Sequence, residues 1–239
     1  MSLNFSTTAE SATVENGIKM LVYAPAGYGK TVLTATLPTP LLLSAESGLL
    51  SLHPNNVEKI FGFRKDIPVI QISSIKDFQD AYEFCATSAH AKHFESFALD
   101  SISEIAEVVL GNAKRQVKDP RQAYGELGEK MSTLIRAFRD LKGKHIYFAA
   151  KQDREKDETT GMMLYGPSMP GKQLTREIAH FFDEVFALGI NKTPEGVPYR
   201  FLRTRADVQF QAKDRSGALD ELEEPNLTKI ISKIQTSHV

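Results

Sequence analysis

The chain has 239 residues, 41% of them hydrophobic and 25% charged, enough for one large domain with its own core. A formal net charge of −1 excludes a molecule that is basic overall, so any contact with a phosphate backbone needs a local patch. The single cysteine, Cys85, excludes an internal disulfide or a cysteine-based zinc site and suits a reducing compartment, and no run of about 18 apolar residues marks a membrane span.

Residues 1–16 carry Glu10 and Glu15 but no Lys or Arg, unlike a signal peptide, and read as a flexible N-terminal segment before a single domain, 17–239, in the cytoplasm. Ile18 to Tyr23 is a short apolar run that predicts a strand leading into a glycine-rich turn. Lys30 to Leu37 can be helical, stopped by Pro38 and Pro40. Strands are expected over 41–45 and 69–72. Between 77 and 85, Phe78, Ala81, Tyr82 and Cys85 fall at helical spacing. Phe94 to Leu99 reads as a buried strand ending on Asp100. Ser101 to Glu104 then has capping-box spacing before a helix carrying Ile102, Ile105, Val109 and Leu110. A longer amphipathic helix is expected over 127–141 and a strand over 145–150. The polar stretch 151–172, broken by Gly161, Gly166, Pro167, Pro170 and Gly171, reads as a long loop of functional kind. A helix (174–182), three strands (184–189, 198–203, 207–212) and a final helix (226–235) complete the chain. This alternation predicts an α/β fold with a mostly parallel central sheet, helices on both faces and antiparallel strands near the C-terminus.

The sharpest motif is Ala24-Pro25-Ala26-Gly27-Tyr28-Gly29-Lys30-Thr31, set between a strand and a helix as a P-loop requires. Ala24 stands where the pattern has its first glycine. The departure is tolerable because the anion nest is made by backbone N–H groups at a helix N-terminus, which need no side chain at that position. Pro25, Ala26, Gly27, Tyr28, Gly29, Lys30, Thr31 and Val32 are therefore the candidate nucleotide-binding residues. Lys30 would reach the β/γ-phosphates and the Thr31 hydroxyl a Mg²⁺ ion. Asp100, at a buried strand end, is the candidate second metal residue. Hydrolysis needs a group that orients water. With Ser101 where many P-loop ATPases carry Glu, the substitute is Glu46, provided that its strand lies beside the P-loop strand.

Leu43-Ser44-Ala45-Glu46-Ser47-Gly48-Leu49 and Leu99-Asp100-Ser101 resemble the strand-end glutamate and Asp-Ser of RecA-type ATPases. With Phe182-Asp183-Glu184-Val185 and Ala212-Lys213-Asp214-Arg215-Ser216, they look like the small phage-encoded, single-domain RecA-like proteins of the Sak-type recombinases and their relatives. The resemblance covers most of 17–235, with only the P-loop a highly specific motif. It implies a RecA-like fold, ATP and Mg²⁺ as cofactors, and a homo-oligomeric ring or filament in the cytoplasm of a bacterial host. It also implies a γ-phosphate sensor at Lys151 or Gln152, and a single-stranded DNA contact in 153–172 through Arg154, Lys156, Tyr165 and Lys172. A basic residue acting on the neighbouring subunit's nucleotide falls to Lys213 or Arg215, with Arg200, Arg203 and Arg205 less specific.

The charge pattern qualifies the DNA reading. Residues 151–176 carry five basic and four acidic side chains, whereas 111–144 carry nine and four. The second segment is the better phosphate-backbone candidate, with a solvated helix face as the ordinary alternative. His145, His180 and Cys85 fall in core or surface settings, and His90 and His93 lack partners at metal spacing. Asn191-Lys192-Thr193-Pro194 ends in proline where a guanine-selecting N-K-x-D motif has Asp. The expected function is a Mg²⁺-dependent ATPase of phage DNA recombination, single-strand annealing or replication. The alternatives are a nucleotide-gated switch or assembly factor with little turnover and no DNA, and, more weakly, a small-molecule kinase.

Overall fold

The computed structural model describes residues 17–46, 49–116 and 120–237. The N-terminal segment 1–16 lies outside them, as do Ser47 and Gly48 of the glutamate motif and positions 117–119 of the basic segment.

Among the described residues, ten strands form one sheet: β1 (Lys19–Ala24), β2 (Pro40–Ser44), β3 (Val69–Gln71), β4 (Ser96–Asp100), β5 (His145–Lys156), β6 (Met163–Ser168), β7 (Glu184–Lys192), β8 (Pro198–Arg203), β9 (Lys213–Asp214) and β10 (Leu222–Glu223). Their order is β10-β8-β7-β1-β5-β4-β2-β3, with β6 added to β5 and β9 to β7. The segment from β7 to β3 is parallel, and β6, β8, β9 and β10 pair antiparallel. The expected parallel core with antiparallel C-terminal strands is present.

Strands β1, β2 and β4 are buried along their whole length, which is why they read as continuous apolar runs rather than alternating ones. Because successive side chains point to opposite faces, the sheet divides the core in two. Leu21 and Tyr23 join Phe97, Leu99 and Phe148 on one face. There they are covered by α3 (Ile75–Thr87), α4 (Ile102–Gln116) and α5 (Pro120–Arg139), where Phe78 stacks on Phe138 at 5.3 Å. Met20, Val22 and Ala24 join Tyr147, Ala149 and Phe186 on the other. That face is closed by α1 (Lys30–Leu33), α2 (Pro54–Phe61) and α7 (Leu227–Ser237). The remaining short helix, α6 (Lys172–Glu177), follows β6.

Four expectations need correction. The stretch 151–172 is not a long loop: β5 runs on to Lys156 and turns back through β6, with Arg154 opposite Tyr165 and Lys156 opposite Met163. The polar composition hid a strand whose outer half is exposed on both faces. Residues 207–212 are not a strand. Asp207 Oδ1 accepts from the backbone N–H of both Gln209 and Phe210, closing a turn that leaves only the bridge Tyr165–Phe210. The helix after the P-loop is a single α-helical turn followed by a 3₁₀ turn, Thr34–Thr36. Last, β2 does not lie beside the P-loop strand, since β5 and β4 stand between them. The helix Pro54–Phe61 and the two-residue strands β9 and β10 were not anticipated.

Candidate functional site

The site sits at the C-terminal ends of the parallel strands, where β1 gives way to α1. Gly27 and Gly29 hold φ values of 81° and 110°, a region that favours glycine. A Cβ at Gly27 would meet nothing, so the backbone angle and not crowding selects glycine there. The turn is fixed from three sides. Leu33 N–H donates to Gly29 O at 3.1 Å, the fully buried Tyr147 hydroxyl on β5 donates to Lys30 O at 2.8 Å, and Arg200 Nε on β8 donates to Tyr28 O at 2.7 Å.

Lys30 Nζ folds back onto its own loop and donates to the carbonyls of Ala24 (2.8 Å) and Pro25 (3.0 Å). Burial lowers its pKa, while the charges of Asp100 and Glu46 oppose that and the Lys151 charge adds to it. Four of the residues singled out in the sequence thus lie within one electrostatic neighbourhood. Asp100 is 1% exposed, and neither carboxylate oxygen has a hydrogen-bond partner among the described residues. Burial pushes its pKa up to about 6. The Thr31 hydroxyl, near enough to favour the ionised form yet short of a formed hydrogen bond, pulls it down; the Glu46 charge pushes it further up and the Lys30 charge pulls it down. The peptide that follows, Asp100–Ser101, is cis. Ser101 Oγ accepts from Glu104 N–H at 3.2 Å, which is half of the expected capping box.

A carboxylate buried without a partner is costly. Its oxygens, with the Thr31 hydroxyl beside them, suit a hard divalent cation that takes oxygen ligands. No group of three or more His, Cys, Asp or Glu residues poised for a metal exists among the described residues. A cation here would therefore be completed by ligand phosphates and water, as Mg²⁺ ordinarily is. Glu46 follows β2, whose Ser44 stands opposite Asp100. Its backbone N–H donates to Ser44 Oγ at 3.1 Å and its carbonyl accepts from Gln71 Nε2 at 3.3 Å. It reaches the same neighbourhood from two strands further away than its expected role assumed.

Lys151 stands opposite Ala24 across β1 and β5, but its Nζ is held by Glu104 (2.7 Å) and Glu107 (2.9 Å) of α4. Gln152 is the next residue along β5, opposite Pro167. Lys213 and Arg215 lie at the other end of the sheet, where β9 pairs with the start of β7. Lys213 Nζ donates to Ala179 O at 3.0 Å and Arg215 pairs with Asp183 at 3.2 Å, so neither joins its own chain's nucleotide site. Arg203 pairs with Asp207 and Glu221, and Arg205 donates to Leu219 O. The bond from Arg200 to the Tyr28 carbonyl and the Glu104–Glu107 clamp on Lys151 are the features that sequence reasoning missed; Arg200 stood there only as a less specific candidate for a neighbouring subunit's nucleotide. Arg200 is 172 positions from Tyr28, and only the paired i, i+3 glutamates of α4 gave any local signal.

The sequence pattern of the AAA domain family matches residues 16–216. Among solved structures, the chain is similar to a KaiC-like protein from the hyperthermophilic archaeon Pyrococcus horikoshii OT3. The two share 14% identity over 83% of this chain and 84% of that one, with a TM-score of 0.44. No curated protein matches.

Proposed function

Since the chain belongs to the AAA domain family and is a P-loop ATPase domain of mixed α/β fold, we propose that it binds and hydrolyses ATP with Mg²⁺ between α1, Asp100 and Glu46. The observation that carries this is Asp100, an ionisable side chain buried without a partner beside Thr31 and Lys30. Backbone N–H groups of 27–31 would cradle the phosphates, and Lys30 would exchange its two loop carbonyls for the β/γ-phosphate oxygens. Thr31 and Asp100 would hold Mg²⁺, which supplies charge neutralisation on the phosphoryl group. Glu46 would orient the attacking water. Lys151 or Gln152 would sense the γ-phosphate, and Lys213 or Arg215 would serve a neighbouring subunit from the opposite end of the sheet.

The finer reading follows the resemblance to phage RecA-like proteins: an oligomeric ATPase of DNA recombination, annealing or replication, acting on single-stranded DNA. One observation favours the hairpin β5–β6 as a DNA contact. Strand alternation sets Arg154 and Lys156 on one face and Asp153 and Glu155 on the other, so a near-neutral segment presents one basic face.

ATP turnover with and without single-stranded DNA tests both levels. Wild type should hydrolyse ATP only with Mg²⁺, and Glu46→Gln should lose about 10²-fold in kcat while still binding nucleotide. Equal rates in the two proteins would remove Glu46 from the chemistry. A rate that DNA leaves unchanged, with no DNA binding, would favour the nucleotide-gated switch instead.

A further inference from the structure

We infer that Arg200 is a positioning residue for nucleotide binding, which sets the orientation of the Tyr28–Gly29 peptide from outside the P-loop; this rests on the ATP-binding reading above. A trans peptide is planar, and its C=O and N–H point in opposite directions. Fixing the Tyr28 carbonyl on Arg200 Nε at 2.7 Å therefore aims the Gly29 N–H the other way, away from β8 and into the turn where phosphate would lie. This peptide is a weak point of the loop. Gly29 has no Cβ and sits at φ 110°, so little backbone strain opposes a flip that would present a carbonyl, and not an N–H, to the anion. No contact from α1 or β1 holds that carbonyl. The Lys30 and Tyr147 bonds go to Ala24, Pro25 and Lys30 carbonyls.

The brace is built for the purpose. The Arg200 side chain lies against Gly29, its Nε and Cδ 3.5 and 3.8 Å from where a Cβ would be. It forms no ion pair with a carboxylate among the described residues, so the donor is not drawn elsewhere. Its strand, β8, is paired along six positions with β7, which lies beside β1. The hairpin and the phosphate loop are thereby linked through one hydrogen bond, over a separation of 172 residues.

Two variants separate this role from a simple charge effect. In Arg200→Gln the amide nitrogen sits on Cδ, as Nε does in arginine, so the donor is kept and the positive charge is lost. Hydrogen exchange of the 25–31 amides, measured without nucleotide, should quicken in Arg200→Ala and return towards wild type in Arg200→Gln. Affinity for Mg²⁺–adenylyl imidodiphosphate should fall about tenfold in Arg200→Ala, the factor one charge-assisted hydrogen bond supplies. In Arg200→Ala KM should rise more than kcat falls, and both affinity and KM should return towards wild type in Arg200→Gln. Unchanged exchange and affinity in Arg200→Ala, in a wild type that binds the analogue, would overturn the inference alone. An Arg200→Gln protein as impaired as Arg200→Ala would also overturn it, since charge and not the Nε donor would then be at work. A wild type that does not bind the analogue would remove both the inference and the ATPase reading.

Discussion

Replacing Asp100 by Asn should stabilise the protein while it disables the site. At ~1.36 kcal/mol per pKa unit, raising this carboxyl from 3.8 to about 6 costs the folded state about 3 kcal/mol once it is ionised. The sign follows from proton counting: between those two pH values the native state holds more protons than the unfolded chain, so stability falls as pH rises. The cost is complete above pH 6, is about half of that at pH 5, and is nearly gone below 4. An amide in the same place still lacks a partner, at roughly 1 kcal/mol. The net gain for Asp100→Asn is then about 2 kcal/mol at pH 8, or roughly 4–8 °C in Tm for a chain of this size. At pH 5 it should shrink to well under 1 kcal/mol. Thermal melts in chelator, free of nucleotide, measure this directly. Saturating Mg²⁺–ADP should reverse the ranking, since ligand at a hundred times its Kd adds about 2.7 kcal/mol to a protein that binds it and nothing to one that does not. An Asp100→Asn protein that melts at or below wild type at pH 8, or gains equally at pH 5 and pH 8, would refute the claim that an unpartnered charge is stored there.

Two further outcomes follow from buried groups. Glu184, at the start of β7, faces Asp214, and burial with that neighbouring charge pushes its pKa up to about 8. The stability it costs sets in above pH 4.5 and is complete only above pH 8, so Glu184→Gln should raise Tm more at pH 9 than at pH 6 in a pH-resolved melt. Tyr147→Phe removes the hydroxyl that anchors the Lys30 carbonyl at 2.8 Å. It should cost about 1 kcal/mol in chemical denaturation and weaken nucleotide affinity several-fold, by loosening the first turn of α1.

The parts of this fold that were legible in the sequence are those written in short stretches of chain. Ile18 to Thr31 carries strand, turn and helix in one run, and its glycines fall where the backbone enters the left-handed region. Phe78, Ala81 and Cys85, and likewise Ile102, Ile105 and Val109, announced their buried faces through helical spacing alone. Neighbourhood across the sheet is another matter. Chain order suggested that Glu46 needs a strand beside β1, whereas two strands intervene and the residue still acts on Lys30 and Asp100. The outer half of β5 was hidden because Asp153, Arg154, Glu155 and Lys156 are all polar, and its pairing with β6 is made by backbone. The bracing contact of Arg200 could not be read, because its partner is a P-loop carbonyl and only the β7–β8 hairpin brings the two together.

The division of the core by β1 has a consequence for how this chain tolerates length changes. Leu21 and Tyr23 belong to one apolar layer, and Met20, Val22 and Ala24 to the other. Inserting or deleting a single residue in the strand would exchange the two sets and present each layer with side chains cut for its opposite. It would also shift the start of the phosphate loop against both flanking strands. The exposed turn between β7 and β8, around Glu195 and Gly196, carries no such constraint. A tag or reporter peptide placed there should leave the sheet in register, whereas one extra residue between Lys19 and Ala24 should not be accommodated at all.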